Sequence, residues 1–562
     1  MRQKEKYYEE FQKSKSSNSI SRENSMFKGS RLYRQSEEAS NELLMLILTD
    51  ENPYKKIIRF LSNEQEIITI KTKEELIENV NKTKKYIKDL SKSISTYIAI
   101  PVLVQSIDDF YYGENKMLYQ ERYKNMGNAM KRCITLIWDN VTNTTVNEDR
   151  SINAMKNIVQ ASIFAEMMEF LLVVFNCFGE YEFSCDYKEF HYTNFLLAVL
   201  SEFTKADTNG KSLYRTIGPV INKIYENPKD SIEAIGNILD GQSPRNQPVF
   251  KNTFFSEIPG EYCDFWAGIW LRIQLLIIAI KARGCVSNVM SGICIIEDIA
   301  IITNSFEASK FQPNVNQLFW TRKWYDEKSN EWESNLIVER PILRICRDHS
   351  LYVTSISAII DSINWFVEAS IMPYSDVGGV RLPENIFNKY ISKHFENNVI
   401  EVFKKQGFKA GFVNENGVWS TGNENIVLEN ICDEICPGEI DLLAYNLEKK
   451  FVILGECKVL AHAIANYKKL RNILSKISDD DSELFHAKIR KKVEWITNTK
   501  QFTAIPEYNF AGIIILDKVI PGMHGMYEHQ VMSLSEIKEA FESDNLDDLI
   551  ENLIVYNIFS KA

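Results

Sequence analysis

Apolar positions recur at helical spacing over most of the chain. Leu76, Val80, Ile87 and Leu90 share one side of a 3.6-residue period, as do Ile152, Met155, Ile158 and Val159. Helix-length apolar segments follow at 164–178, 190–204, 264–282 and 351–369. The pattern predicts a mainly helical region over 41–370. It is preceded by a leader (1–40) rich in Ser, Asn, Lys and Glu that reads as mobile or partly helical. Pro244, Pro248 and Pro259, between Gly241 and Gly260, mark a break that could divide the helical region in two. A second Pro- and Gly-bearing stretch, 371–384, reads as a linker (Pro373, Gly378, Gly379, Pro383).

Beyond it, over 385–562, the period changes. Ile386 to Gln406 carries a helical stripe (Ile386, Tyr390, Ile391, Phe395, Val399, Val402) that stops at Gly407, a residue suited to end a helix. Short apolar runs at Phe408 to Val413, Glu439 to Tyr445 and Phe451 to Cys457 have the length and composition of strands. Helical segments are expected at Ala461 to Ile477 and Leu484 to Thr497, then a last strand at Phe510 to Leu516. The fold class predicted is multidomain: a mainly α-helical N-terminal region followed by an α/β domain with the order α-β-β-β-α-β.

Composition changes this picture little. The chain has 562 residues, too many for one core, with 45% hydrophobic and 25% charged residues, as in soluble globular proteins. The most apolar runs, Trp266 to Ile280 and Phe164 to Phe178, are interrupted by Arg272 and Gln274 and by Glu166 and Glu169, so they read as buried helices and no membrane span is expected. The charged N-terminus has no apolar core of a signal sequence, and the ten cysteines are scattered, which together predict a cytoplasmic protein with reduced thiols. Cys432 and Cys436 form a C-x-x-x-C with no second pair of ligands nearby and read as small core residues, not zinc ligands. Trp266, Trp270, Trp320 and Trp324 likewise read as core, and His191 and His349 as isolated histidines.

Charge is more informative. The formal net charge of −11 disfavours a large nucleic-acid footprint, yet Lys449 to Lys500 holds 12 Lys and Arg against 6 Asp and Glu. Lys468, Lys469, Arg471 and Lys476 fall on the first expected helix of that stretch, and Lys488, Arg490, Lys491 and Lys492 on the second.

The chemistry lies beside that basic stretch. Asp441 sits inside one apolar strand and Glu456, 15 residues later, near the end of the next. A charge within an apolar strand costs free energy unless it is paired or holds a metal. Paired strands joined by a short turn would place the two carboxylates side by side, and hard oxygen ligands so placed suit Mg²⁺. Lys458 is two residues after Glu456, hence on the same face, where it could orient a water or stabilise phosphate charge. Glu439 shares a face with Asp441 and could add a ligand or a solvated charge.

Pro437-Gly438-Glu439-Ile440-Asp441 followed by Gly455-Glu456-Cys457-Lys458 resembles the PD-(D/E)XK signature of restriction-endonuclease-like enzymes. The G-E-I-D-L run from Gly438 is similar to that of nucleases related to Holliday-junction resolvases. Phe395-Glu396, 11 residues before Gly407, resembles the first helix of Mrr-type restriction enzymes. The resemblance covers only the C-terminal domain. It implies Glu396, Asp441, Glu456 and the Cys457 backbone carbonyl as metal ligands, with Glu401 the fallback on the helix, and Lys458 as the catalytic lysine. It further implies Mg²⁺, with Mn²⁺ able to substitute, and duplex DNA ahead of RNA as substrate. Lys468, Lys469, Arg471, Lys488, Arg490 and Lys491 would then contact phosphates. Relatives often carry Gln and Tyr after the lysine; this chain has His462 and Tyr467 there, the first a departure. The function expected is a metal-dependent endonuclease, with restriction or antiphage defence as its setting. The alternative is a nuclease fold that has lost catalysis and binds nucleic acid or a protein. The helical region is left to regulate, recognise or oligomerise, with a homo-oligomer or a protein partner as its candidate occupant.

Overall fold

The computed structural model describes residues 31–542, apart from 114–116, 118–125, 140–150, 192–223, 284–292, 297–314, 329–335, 346–350, 373–379, 461–472, 478–484, 504–508, 521–522, 524–526 and positions 93, 95, 225 and 252. It divides into two compact units: Met1–Leu172, Glu180–Thr193 and Pro219–Leu382 form one, and Val173–Gly179, Asn194–Gly218 and Pro383–Ala562 the other.

The first unit is built on helices α1 (Arg31–Leu48), α2 (Lys73–Ser91), α3 (Thr96–Tyr112), α4 (Met126–Trp138), α5 (Ser151–Phe178, of which the part up to Leu172 belongs to this unit), α6 (Pro228–Leu239), α7 (Cys263–Arg283) and α8 (Ile356–Ile371). The segment Ile152–Asn176 of α5 is long and apolar enough to cross a membrane, but its apolar 18-residue window is 94% buried. Its acidic side chains are answered by neighbouring helices: Glu166 by Arg132 and Glu169 by Lys84, each at 2.5 Å. The tryptophans are core, with Trp266 fully buried and Trp320 and Trp324 nearly so. Segment 241–260, expected as a break between subdomains, lies within one continuous stretch of this unit. Its Phe250 and Phe255 are fully buried, with ring centroids 5.6 Å and 6.1 Å from Trp266.

Two small sheets stand beside the helices of this mainly helical unit. Strands β1 (Ile67–Ile70), β2 (Phe183–Asp186) and β3 (Phe190–His191) make one, and β4 (Ile293–Ile296), β5 (Leu343–Arg344) and β6 (Tyr352–Ser355) the other, in order β4-β6-β5. The helix expected over 190–204 therefore begins as a strand at Phe190, and its remainder is outside the described residues. The helix expected over 351–369 opens as β6, because Val353 and Thr354 are β-branched. Ser355 then caps α8, its side chain accepting the Ala358 N–H. His191 is exposed and pairs with Asp186 at 3.0 Å; His349 and residues 1–30 of the expected leader are outside the described residues.

The second unit is a mixed seven-stranded sheet in the order β13-β12-β11-β10-β7-β8-β9. Its strands are β7 (Lys409–Val413), β8 (Val418–Ser420), β9 (Asn425–Val427), β10 (Ile440–Asn446), β11 (Phe451–Lys458), β12 (Asn509–Leu516) and β13 (Gln530–Ser533). Strand β10 is antiparallel to both β7 and β11, whereas β11, β12 and β13 run parallel. Helices α9 (Lys393–Lys405) and α11 (Leu534–Glu542) cover one face: Phe395, Val399, Phe403, Ile537 and Phe541 pack with Leu442, Ala444, Ile453 and Cys457. Helix α10 (Phe485–Thr497) covers the other, its Trp495 and Ile496 packing on Leu443, Val452 and Leu454. Burial on both faces explains why the β11 and β12 sequences are continuous apolar runs.

Three further features were not expected from the sequence: the β8–β9 hairpin, the final β13–α11 pair, and an interruption in the first helix. The chain forms a short helix at Glu384–Phe387, a π-turn at Asn388–Ser392, and only then α9. The helix ends as expected at Gly407, which has φ +80°.

Candidate active site

The site is assembled where β10 and β11 begin to separate. Their pairing runs from Asn446 opposite Phe451 to Leu442 opposite Gly455, so Asp441 and Glu456 occupy the next rung. On its other side β10 has a bulge between Ile440 and Leu443 where it meets β7. Such irregularities re-aim side chains at sheet ends. The Asp441 carboxylate takes the place of a ladder partner, its Oδ2 accepting the Cys457 N–H at 2.8 Å. The Cys457 thiol is buried in the core under α9, and burial holds it protonated.

Glu456 continues the row of Val452 and Leu454 on the α10 side and is 5% exposed. Each of its oxygens meets an ammonium: Lys458 Nζ lies 2.6 Å from Oε1 and Lys492 Nζ 2.5 Å from Oε2. Lys492 is itself only 8% exposed. Glu396 reaches the site from the first turn of α9. Its Oε1 accepts from Ser392 Oγ at 3.1 Å, and its Oε2 pairs with Lys393 at 2.8 Å. Lys393 also bridges to the exposed Glu439 at 3.2 Å, and these carboxylates hold its ammonium above the ordinary lysine range against the effect of burial. The π-turn supplies both Ser392 and the geometry that presents Glu396; such turns often mark functional positions.

The electrostatics separate the two strand carboxylates. Burial pushes the Asp441 carboxyl up to about 7, and the nearby Glu456 charge adds to this. Burial also works against the Glu456 charge, but Lys458 and Lys492 outweigh it and hold this carboxyl below the ordinary range. Lys458 is raised in turn, since Glu456 and Asp441 more than offset its burial. Two carboxyl groups on adjacent strands, pushed in opposite directions, are suited to different roles.

Three carboxylates and a main-chain carbonyl are hard donors of the kind that hold Mg²⁺ or Mn²⁺. They are not a preformed cage: among the described residues no three Asp, Glu, His or Cys side chains converge closely enough to hold an ion. The ammonium groups of Lys458 and Lys492 stand where cationic charge is wanted. The donors are oxygens of the type a divalent cation takes, but both Glu456 oxygens are held by lysines.

The remaining candidates are placed as follows. Lys488 and Lys491 are exposed on the outer side of α10. Arg490 is exposed as well, but its guanidinium is engaged by Glu528, with Nε 2.6 Å from Oε1. Lys468, Lys469, Arg471, His462 and Tyr467 lie outside the described residues. Glu401 pairs with Lys404 at 2.9 Å on the exposed side of α9, whereas Glu396 is buried and its charge acts on the Asp441 carboxyl. The reading of the cysteine pair as small core residues is corrected for Cys432, which is exposed on the loop between β9 and β10; Cys436, on the same loop, is half-buried and packs against the core under α10. Sequence reasoning counted Lys492 as a surface cation. Its position in register with Ile489 and Ile496 on the apolar stripe of α10 was the available sign that it points inward.

No family model, no curated protein and no solved structure matches the chain.

Proposed function

We propose that the unit from Pro383 onward is a divalent-metal-dependent phosphodiesterase that cuts nucleic acid internally. The observation that carries this reading is the neighbouring pair Asp441 and Glu456 on adjoining strands, with Lys458 Nζ 2.6 Å from the latter. Asp441, Glu456 and the Cys457 carbonyl would hold the cation, with Glu396 as the outlying ligand. The bound cation would supply charge neutralisation at the phosphate and a more acidic water. Lys458, partly exposed, is placed to donate to a phosphate oxygen or to orient the attacking water. Exposed Lys488 and Lys491 on α10 suit the backbone of a polyanion. Duplex DNA is the substrate proposed, ahead of RNA, on the strength of the PD-(D/E)XK resemblance.

One observation favours a second reading, a nuclease-like fold that binds without cutting: both Glu456 oxygens are already taken by lysines. Incubating plasmid and linear DNA with the purified chain and Mg²⁺ or Mn²⁺, beside Lys458→Ala and Asp441→Ala, separates the two. Cutting by the wild type and its loss, by about a hundredfold or more, in both variants is expected. Equal cutting by all three would remove these residues from the chemistry. Retained DNA binding without any cutting would favour the second reading.

A further inference from the structure

Lys492 does something the apolar interior does not ask for. It sits on the buried stripe of α10 with Ile489, Trp495 and Ile496, where an apolar side chain would pack without the cost of desolvating an ammonium. The other cations of this helix, Lys488, Arg490 and Lys491, all face outward. Its amine contacts Glu456 Oε2 at 2.5 Å, while Lys458 takes Oε1 at 2.6 Å. Glu456 thus has an ammonium on each oxygen, and only one of those lysines belongs to the strand signature. A divalent ion on Glu456 and the Lys492 ammonium would compete for the same oxygen, and two such cations a few ångströms apart repel strongly in a buried setting.

We infer that Lys492 is a positioning residue whose ammonium holds the Glu456 oxygen that a divalent cation would use and thereby weakens divalent-metal binding. The inference rests on the metal-site reading above. It makes Lys492 a built-in competitor: the amine holds Glu456 Oε2, and a cation enters only by displacing it. A polyanionic substrate that attracts the displaced ammonium would tighten metal binding in the same step.

The test is calorimetric titration of MnCl₂ into the metal-stripped full-length chain at neutral pH, with no nucleic acid present. Wild type is compared with Lys492→Met, Lys492→Gln and Lys492→Arg, each checked for folding by circular dichroism. Lys492→Met should bind Mn²⁺ more tightly by on the order of tenfold, since one buried unit charge beside the ion is removed. Lys492→Gln, which keeps a hydrogen-bond donor without the charge, should tighten it too and serves if the Met variant does not fold. Lys492→Arg should stay within about threefold of wild type, because the competing charge remains. Adding Glu456→Gln to Lys492→Met should abolish the gain. Manganese binding by wild type with equal or weaker binding by folded Lys492→Met and Lys492→Gln overturns the inference and leaves the metal site standing. Absence of binding in every protein overturns both.

Discussion

Replacing Glu456 by Gln keeps the shape of the side chain and removes the one charge that two ammonium groups share. Lys492, 8% exposed, then loses its ion-pair partner and keeps only its charge interaction with Asp441. Lys458, whose side chain is 28% exposed, can turn toward water. Breaking a buried ion pair from one side costs about 3–5 kcal/mol, and screening at Lys458 discounts its share, so a loss near 3 kcal/mol is expected, mostly from Lys492. For a unit of this size that corresponds to a fall of roughly 6–12 °C in its melting temperature. The double variant Glu456→Gln/Lys492→Met should recover most of the loss, because it leaves no buried charge without a partner. The assay is amide hydrogen exchange of β11 and β12 in EDTA, which reads this unit separately from the helical one. A loss under about 1 kcal/mol, or a double variant no more stable than Glu456→Gln alone, would refute the view that these charges hold one another.

Three more predictions follow from particular contacts. His486 and His529 are buried with ring centroids 5.6 Å apart, and burial pushes both down to about 4. The unfolded chain therefore takes up protons first, so their contribution is complete above about pH 6.5 and is lost as pH falls toward 4. The melting temperature should drop over that window, and His486→Gln/His529→Gln should flatten the slope; an unchanged slope would show other groups are responsible. Gly411→Ala would drive a methyl into the Ser420 main-chain carbonyl of the neighbouring strand, which cannot yield as a side chain could. A cost of about 2–3 kcal/mol is expected in urea unfolding, and a wild-type midpoint would contradict it. If α10 lies along nucleic acid, Lys488→Glu/Lys491→Glu should lower the salt slope of DNA binding by about 2, measured by anisotropy. An unchanged slope would take this helix face out of the interface.

How much of this could be read from the sequence depended on how strongly each segment was constrained. Strands β10, β11 and β12 lie within a residue of their expected positions, because burial on both faces makes them unbroken apolar runs bounded by turns. Strands β8 and β9 are three residues each, and their half-exposed alternation is lost among the polar residues of 414–425. The 351–369 run is apolar at most of its positions with no break between strand and helix, so its change at Ser355 was visible only as a capping residue. Asp441, Glu456 and Lys458 stood out as charges inside apolar strands. Lys492 did not, because a lysine among lysines reads as surface until its register with Ile489 and Ile496 is considered. The Ser392–Glu396–Lys393 arrangement was hidden because a π-turn has no signature in the apolar spacing.

The distribution of charge at the site also bears on why it exists. A network serving stability alone would spread two buried ammonium groups over two buried carboxyls. Here both lysines donate to Glu456, while Asp441, its neighbour across the ladder, accepts the Cys457 main-chain N–H. The outcome is one carboxyl held ionised and another pushed up to about 7, in buried surroundings that are costly for charge. Adding a divalent cation between them would reverse the disadvantage of Asp441, which loses its proton most readily beside new positive charge. The charges are therefore unevenly shared between the two carboxyls, as the proposed metal-dependent reading expects. That contrast is the physical reason to favour the metal-dependent reading over a retired fold.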